Sequence, residues 1–271
     1  MNWTKILDVE RAVSLAVNRT GDPPVAFWGV LISANTFRQG LDGWEEHPDY
    51  PATSIARVTD PYWYGGYSLQ ITDGSASPAA GTTTMARRRS QPIPRGSVGF
   101  QVIWQYEDEA NTSEVLFRLR LTTGSYLKQA ALRYDVANRL WQGLDENGNW
   151  VDLKEQDLQA GIWHRLSLNI YTGRFDEEII TYLNAESDWD MLISYFSKRL
   201  GGLAYAYATP SSERPCFSIE IGSTNAAAAA STVYIDNAIV VWGQVLTYEE
   251  FLKFKMSLAQ LVPDIGIGYI L

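Results

Sequence analysis

Three acids alternate in Glu186-Ser187-Asp188-Trp189-Asp190, a spacing with a definite chemistry. On an extended chain alternate side chains share a face. Two carboxylates about 5–5.5 Å apart serve cleavage of a glycosidic bond with retention, one as nucleophile and one as acid. The flanking residues argue for a plainer role. Leu192, Ile193, Phe196 and Leu200 follow at helical spacing and Gly201 ends the run. Asp188 and Asp190 therefore read as cap and dipole partners of a helix inserted over 187–202. No catalytic residue is assigned.

The second chemical feature is the loop Asp60-Pro61-Tyr62-Trp63-Tyr64-Gly65-Gly66. Aromatic faces stack on the apolar faces of sugar rings, while a neighbouring Asp or Arg supplies orienting hydrogen bonds. Tyr62, Trp63 and Tyr64, joined by Trp44, are the candidate ligand-binding residues, with Arg57 a further donor. The competing role for these rings is to close one end of a hydrophobic core. Histidine offers little, because His47 and His164 are the only two, and His164 shares the parity of Leu166, Leu168 and Ile170. It is expected on the core side. Cys216, the single cysteine, allows no intramolecular disulfide and reads as a structural thiol beside Phe217 and Ile219. The sequence holds no glycine-rich phosphate loop, no His/Cys cluster at metal-ligand spacing and no Ser/His/Asp constellation.

These side chains need strands to position them. In Trp163 to Tyr171, Leu166, Leu168 and Ile170 alternate with Arg165, Ser167 and Asn169, which is a strand with one dry face. Glu114 to Leu121 repeats the pattern, with Val115, Phe117, Leu119 and Leu121 against Arg118 and Arg120, and Thr232 to Val241 does so with Val233 and Ile235. Asp-Gly, Gly-Gly and Asn-Gly turn signals punctuate the chain from Asn35 onward. The clearest hairpin joins Arg139-Leu140-Trp141-Gln142 to Trp150-Val151-Asp152-Leu153 through Asn147-Gly148. Arg87-Arg88-Arg89 reads as a solvated strand end.

The ends have a different texture. Residues 1–34 form an N-terminal arm, with helical or strand spacing before Gly21-Asp22-Pro23-Pro24 and an apolar run of strand length after it. Thr247-Tyr248-Glu249-Glu250 has the form of a capping box, and Phe251, Phe254, Leu258 and Leu261 make the stripe of a C-terminal helix that Pro263 ends. The apolar tail Ile265, Ile267, Tyr269, Ile270 and Leu271 must dock, on its own body or on a neighbour, since each large side chain left in water forgoes roughly 1.5–3 kcal/mol. The expected organisation is an arm over 1–34, a sandwich over 35–246, and a helix with its tail over 247–271. The tail residues are the candidate assembly contacts.

Composition narrows the partners. With 271 residues, 46% of them hydrophobic, the chain can bury one large core. A net charge of -9 argues against nucleic acid, which demands a concentrated basic surface. No run approaches the roughly 20 apolar residues of a membrane span. Asp8, Glu10 and Arg11 interrupt the only stretch placed like a signal peptide. The expected location is therefore the cytoplasm before assembly, or a virion.

The order Asn35-Thr36-Phe37-Arg38-Gln39-Gly40-Leu41-Asp42-Gly43-Trp44, then Gly65-Gly66-Tyr67-Ser68-Leu69-Gln70-Ile71, then Gly161-Ile162-Trp163-His164-Arg165-Leu166, then Val233-Tyr234-Ile235-Asp236-Asn237 resembles the concanavalin A-like and laminin G-like jelly rolls. Jelly-roll carbohydrate-binding modules share the first two and the last of these. The likeness spans residues 35–243 and implies an all-β antiparallel jelly-roll β-sandwich. Many such modules place an acid after the Phe of the first motif to hold a structural calcium. Here Arg38 stands there, so no cofactor is assigned, and Asp236 is expected to hydrogen-bond a turn instead. The family includes lectins, glycosidases, lyases, adhesion modules and virus-particle components. The long termini and the lack of a disulfide are similar to phage head, tail or decoration proteins, and the expectation is a non-catalytic structural or adhesion component that binds itself or other proteins. The alternative is a carbohydrate-binding module, and a glycoside hydrolase or polysaccharide lyase is third.

Overall fold

The computed structural model describes residues 27–63, 65–90, 96–122, 127–145, 147–172, 180–188, 190–196, 204–206 and 216–245. These form strands β1 (Phe27–Asn35), β2 (Trp44–Glu46), β3 (Thr53–Val58), β4 (Ser68–Asp73), β5 (Thr83–Ser90) and β6 (Gly96–Tyr106). Next come β7 (Thr112–Thr122), β8 (Leu127–Asp135), β9 (Leu140–Leu144), β10 (Trp150–Glu155) and β11 (His164–Thr172). The last are β12 (Ile180–Ser187), β13 (Asp190–Phe196), β14 (Ala204–Ala206), β15 (Cys216–Asn225) and β16 (Thr232–Val245). All pairings are antiparallel, in two eight-stranded sheets. The first runs β13-β12-β11-β6-β16-β4-β3, with β1 on β16; the second runs β10-β9-β8-β7-β15-β5-β2, with β14 on β8. The chain is an all-β jelly-roll sandwich, and no helix occurs among the described residues.

The alternation in the sequence decides which side chains meet between the sheets. Phe100, Val102, Trp104 and Tyr106 of β6 and Leu166 and Leu168 of β11 face Val115, Phe117 and Leu119 of β7 and Phe217, Ile219 and Ile221 of β15 in one buried cluster. Trp104 lies at its centre, edge-on to Phe117 at 5.0 Å and to Trp141 at 6.0 Å. Each such side chain contributes roughly 1.5–3 kcal/mol by leaving water. His164 takes the core parity, buried and 5.4 Å from the Trp104 ring, as its spacing predicts.

In β16 the parity changes midway. Asp236 pairs with Ile103 and Ile239 with Gln101, so one extra residue is accommodated as a bulge, with Asn237 at φ 47°. That shift keeps Val233 and Ile235 inward before it and Ala238 and Val240 inward after it. It also leaves the Asp236 carboxylate on the outer face.

Three expectations need correction. Residues 190–196 are a strand, not part of a helix: β12 and β13 form a tight hairpin in which Ser187 pairs with Asp190 and Asp188 adopts φ 46°. A short apolar run fits both periods, and pairing along β12 supplied the backbone partners that a lone helix turn would have lacked. The sheet also begins before residue 35, because β1 pairs with β16 from Phe27 onward. Arg87-Arg88-Arg89 does lie at the end of β5, which stops at Ser90, but only Arg89 is solvated there, since Arg87 is 9% exposed and pairs with Glu45. The helix expected over 247–262, the tail contacts Ile265, Ile267, Tyr269, Ile270 and Leu271, and the arm before residue 27 lie outside the described residues.

Candidate functional site

The loop between β3 and β4 carries Tyr62 at 49% and Trp63 at 40% exposure, large apolar side chains left open to solvent. The loop is held from below. The Trp63 amide donates to Oδ2 of Asp236 at 3.1 Å, and the Ser68 hydroxyl donates to the Pro61 carbonyl. Asp236 is fully buried and its Oδ1 accepts from the Asn237 amide, so the bulge of β16 fixes the carboxylate that fixes the loop. Asp236 thus bonds a turn, as its sequence context suggests. Arg57 braces the neighbouring strand end, with its guanidinium 3.4 Å over the Tyr67 ring and its Nη2 donating to the Arg38 carbonyl at 2.8 Å.

Tyr64 lies outside the described residues. Trp44 does not belong to this surface: it is 3% exposed and packs in the core. The reason is parity, because in the short strand β2 Trp44 pairs with Arg88 on the inward side while Glu45 pairs with Arg87 on the outer side.

The three alternating acids do not gather into a catalytic pair. Glu186 lies on the outer face of the first sheet, with Oε2 3.8 Å from Nη1 of Arg165. Burial pulls the Arg165 guanidinium down to about 10, while Glu186 and Asp188 pull it up. Asp188 accepts the Arg165 amide at 2.6 Å and meets Nδ1 of His164 at 2.8 Å, which ties the β12–β13 turn to β11. Asp190 pairs with Lys154 of β10. Each acid has a structural partner of its own.

The outer face of the second sheet holds a cluster that the sequence reading missed. Glu220 of β15 stands opposite Arg118 of β7, and Ser218 stands opposite Arg120. The Glu220 carboxylate, with 1% of its side chain exposed, accepts from Nη1 of Arg120 and Nη1 of Arg118, each at 3.3 Å, and from the Ser218 hydroxyl at 3.1 Å. His47 completes the ring, with Nε2 3.3 Å from Glu220. The Asp49 amide donates to Nδ1 of His47 at 3.1 Å, and Nε2 lies 3.2 Å from Nη1 of Arg120 as well. Burial alone would raise the Glu220 carboxyl, but the His47 hydrogen bond and the charges of Arg120 and Arg118 hold it below its ordinary value. Arg118 also donates to the Tyr50 hydroxyl at 3.2 Å. One strand over, Glu45 takes Nε of Arg87 at 2.8 Å and Nε of Arg89 at 2.9 Å.

The signal for this cluster was present in pieces. Arg118 and Arg120 occupy the wet parity of one strand and Ser218 and Glu220 that of another. Only the register puts them face to face. Among the described residues no group of three or more His, Cys, Asp or Glu is placed to hold a metal ion.

No family model matches the chain, and no curated protein matches it in sequence. Solved structures do match. The endo-beta-1,4-glucuronan lyase from the fungus Trichoderma reesei aligns over 78% of this chain and 95% of its own, with a TM-score of 0.51 at 13% identity. The globular domain of T. cruzi calreticulin aligns over 89% of this chain and 95% of its own, with a TM-score of 0.50 at 9% identity. The fold is that of the concanavalin-like β-sandwiches, in agreement with the resemblance read from the sequence.

Proposed function

We propose that the chain binds carbohydrate, using the Tyr62–Trp63 loop as a stacking platform. The observation that carries this reading is a pair of exposed aromatic rings on a loop already fixed by a buried carboxylate. A loop backbone held in place before binding loses little freedom on binding, and an indole face offers large contact area with few rotatable bonds. Asp60, exposed at the start of the loop, supplies an acceptor for sugar hydroxyls. The fold lends support, being shared with an enzyme that acts on a polysaccharide. That likeness favours a saccharide partner over the particle-component reading, which rests on the arm over 1–34, the helix and tail over 247–271 and the lack of a disulfide.

Binding rather than cleavage is the proposed role, because Glu186, Asp188 and Asp190 are each engaged with a neighbouring cation or amide. The test is a glycan array probed with the full chain and with Trp63→Ala. The expected result is a discrete set of glycans bound by the parent and lost by the variant. Silence of the folded parent on soluble and insoluble polysaccharides alike would overturn the reading.

A further inference from the structure

We infer that Arg57 makes the saccharide site selective for a sugar that carries a carboxylate, bound beside the ring that stacks on Trp63. The inference rests on the saccharide reading and adds the class of sugar. Arg57 is exposed near the end of β3, the strand that leads into the aromatic loop. Its guanidinium is fixed by three contacts. Nε donates to the Phe37 carbonyl, Nη2 donates to the Arg38 carbonyl at 2.8 Å, and the guanidinium carbon lies 3.4 Å from the centre of the Tyr67 ring. These contacts place the cation without neutralising it, since none of its partners among the described residues is a carboxylate.

The shape of the fork decides what is left for a ligand. The hydrogen on Nε points to the same side as Nη2, so the two carbonyls take that side edge of the guanidinium. The outer edge, formed by Nη1 and the second hydrogen of Nη2, keeps its donors. Two parallel N–H bonds from such an edge match the two oxygens of a planar carboxylate, whereas a sugar hydroxyl takes only one of them. The carbonyls and the ring hold the fork before binding, so little freedom is lost when the anion arrives.

The charge is within reach of the stacking ring. Tyr67, against which Arg57 lies, follows Trp63 by four residues, a stretch of chain that spans at most about 14 Å. The bond from the Ser68 hydroxyl to the Pro61 carbonyl folds the loop back on itself. Neighbouring units of one oligosaccharide cover that span. The acids nearby in sequence act elsewhere. Asp42 accepts the Phe37 amide at 3.0 Å. Asp60 acts at Tyr234, whose hydroxyl burial pushes up, the Gln70 hydrogen bond pulls down, and the charges of Glu107 and Asp60 push up further.

The experiment is affinity electrophoresis of the full chain through polygalacturonate and through alginate, each run beside the same polymer with its carboxyls reduced. The parent is expected to bind at least one carboxylated form about tenfold more tightly than its reduced counterpart, and the preference should shrink as salt rises because the site is exposed. The readout is that ratio within each variant, so a general weakening from a disturbed loop cancels. Arg57→Gln should cut the preference to less than about twofold, while Arg57→Lys, which keeps the charge and loses the fork, should retain about threefold. Binding of both forms without preference, or a preference intact in Arg57→Gln, overturns the inference and leaves the saccharide reading standing. Failure to bind either uronate by a parent that binds neutral glycans overturns it as well, while a parent that binds no glycan at all overturns both. Competition by poly-glutamate as effective as by the polysaccharide also overturns it, since the fork would then serve an acidic protein.

Discussion

The outer faces of the two sheets are built by the same alternation and end up in different surroundings. On the first, the side chains of Arg165 and Glu186 are 5% and 4% exposed. On the second, Arg118 and Arg120 keep 16% and 19% of their side chains in water, and Arg133 and Glu114 keep 23% and 21%. Both faces set arginine against glutamate across neighbouring strands. Alternation therefore identifies the face turned away from the core, but what lies over that face decides whether a charge there is available to a ligand. The first face is reached from outside at the aromatic loop, which Asp236 holds at its edge. The second is an ionic surface with a buried floor and a wet rim.

The floor and the rim should respond differently, and the largest effect is expected at the floor. Glu220→Gln removes the charge that two arginines and His47 share, so urea denaturation should show a loss of about 3 kcal/mol. A loss no greater than that of an ordinary surface change would mean that the floor is wetter than described, and the contrast between the faces would weaken.

Acid should act next, through the same group. The Glu220 carboxyl is depressed in the folded chain, so its contribution is fully present above the unfolded carboxylate value and is lost as pH falls through the lower folded value. Thermal melts below the ordinary carboxylate range should fall more steeply for the parent than for Glu220→Gln. Parallel acid limbs would remove Glu220 as a principal contributor. The smallest effect belongs to the rim: Arg89→Gln should change stability by no more than about 0.5 kcal/mol in the same urea measurement, because the pair it makes with Glu45 is nearly half exposed on both sides.

Much of this architecture was legible in the chain. The strands around Phe117, Leu168 and Ile235 and the hairpin at Asn147-Gly148 declare themselves by period and turn chemistry, and the Tyr62-Trp63 loop stands out by its aromatic run between turn residues. Three features were hidden for physical reasons. The segment Asp190 to Phe196 fits both helical and strand spacing, and the pairing with β12 that decides it is a tertiary contact. Trp44 sits one residue from Glu45 in a three-residue strand, too short for alternation to show which of the two faces in. The Glu220 cluster joins residues up to 173 positions apart in sequence, from His47 to Glu220, and needs the register of β15 against β7 before its members meet.

The central claim is that this sandwich binds saccharide through an aromatic loop on one side of the molecule. Isothermal titration calorimetry of the full chain with an oligosaccharide selected on the array tests it most directly, with parent and Trp63→Ala compared at equal fold content by circular dichroism. The account predicts saturable binding by the parent, weakened at least about tenfold in the variant, while the melting temperature barely moves because the ring is 40% exposed. Binding of equal strength in parent and variant would contradict it.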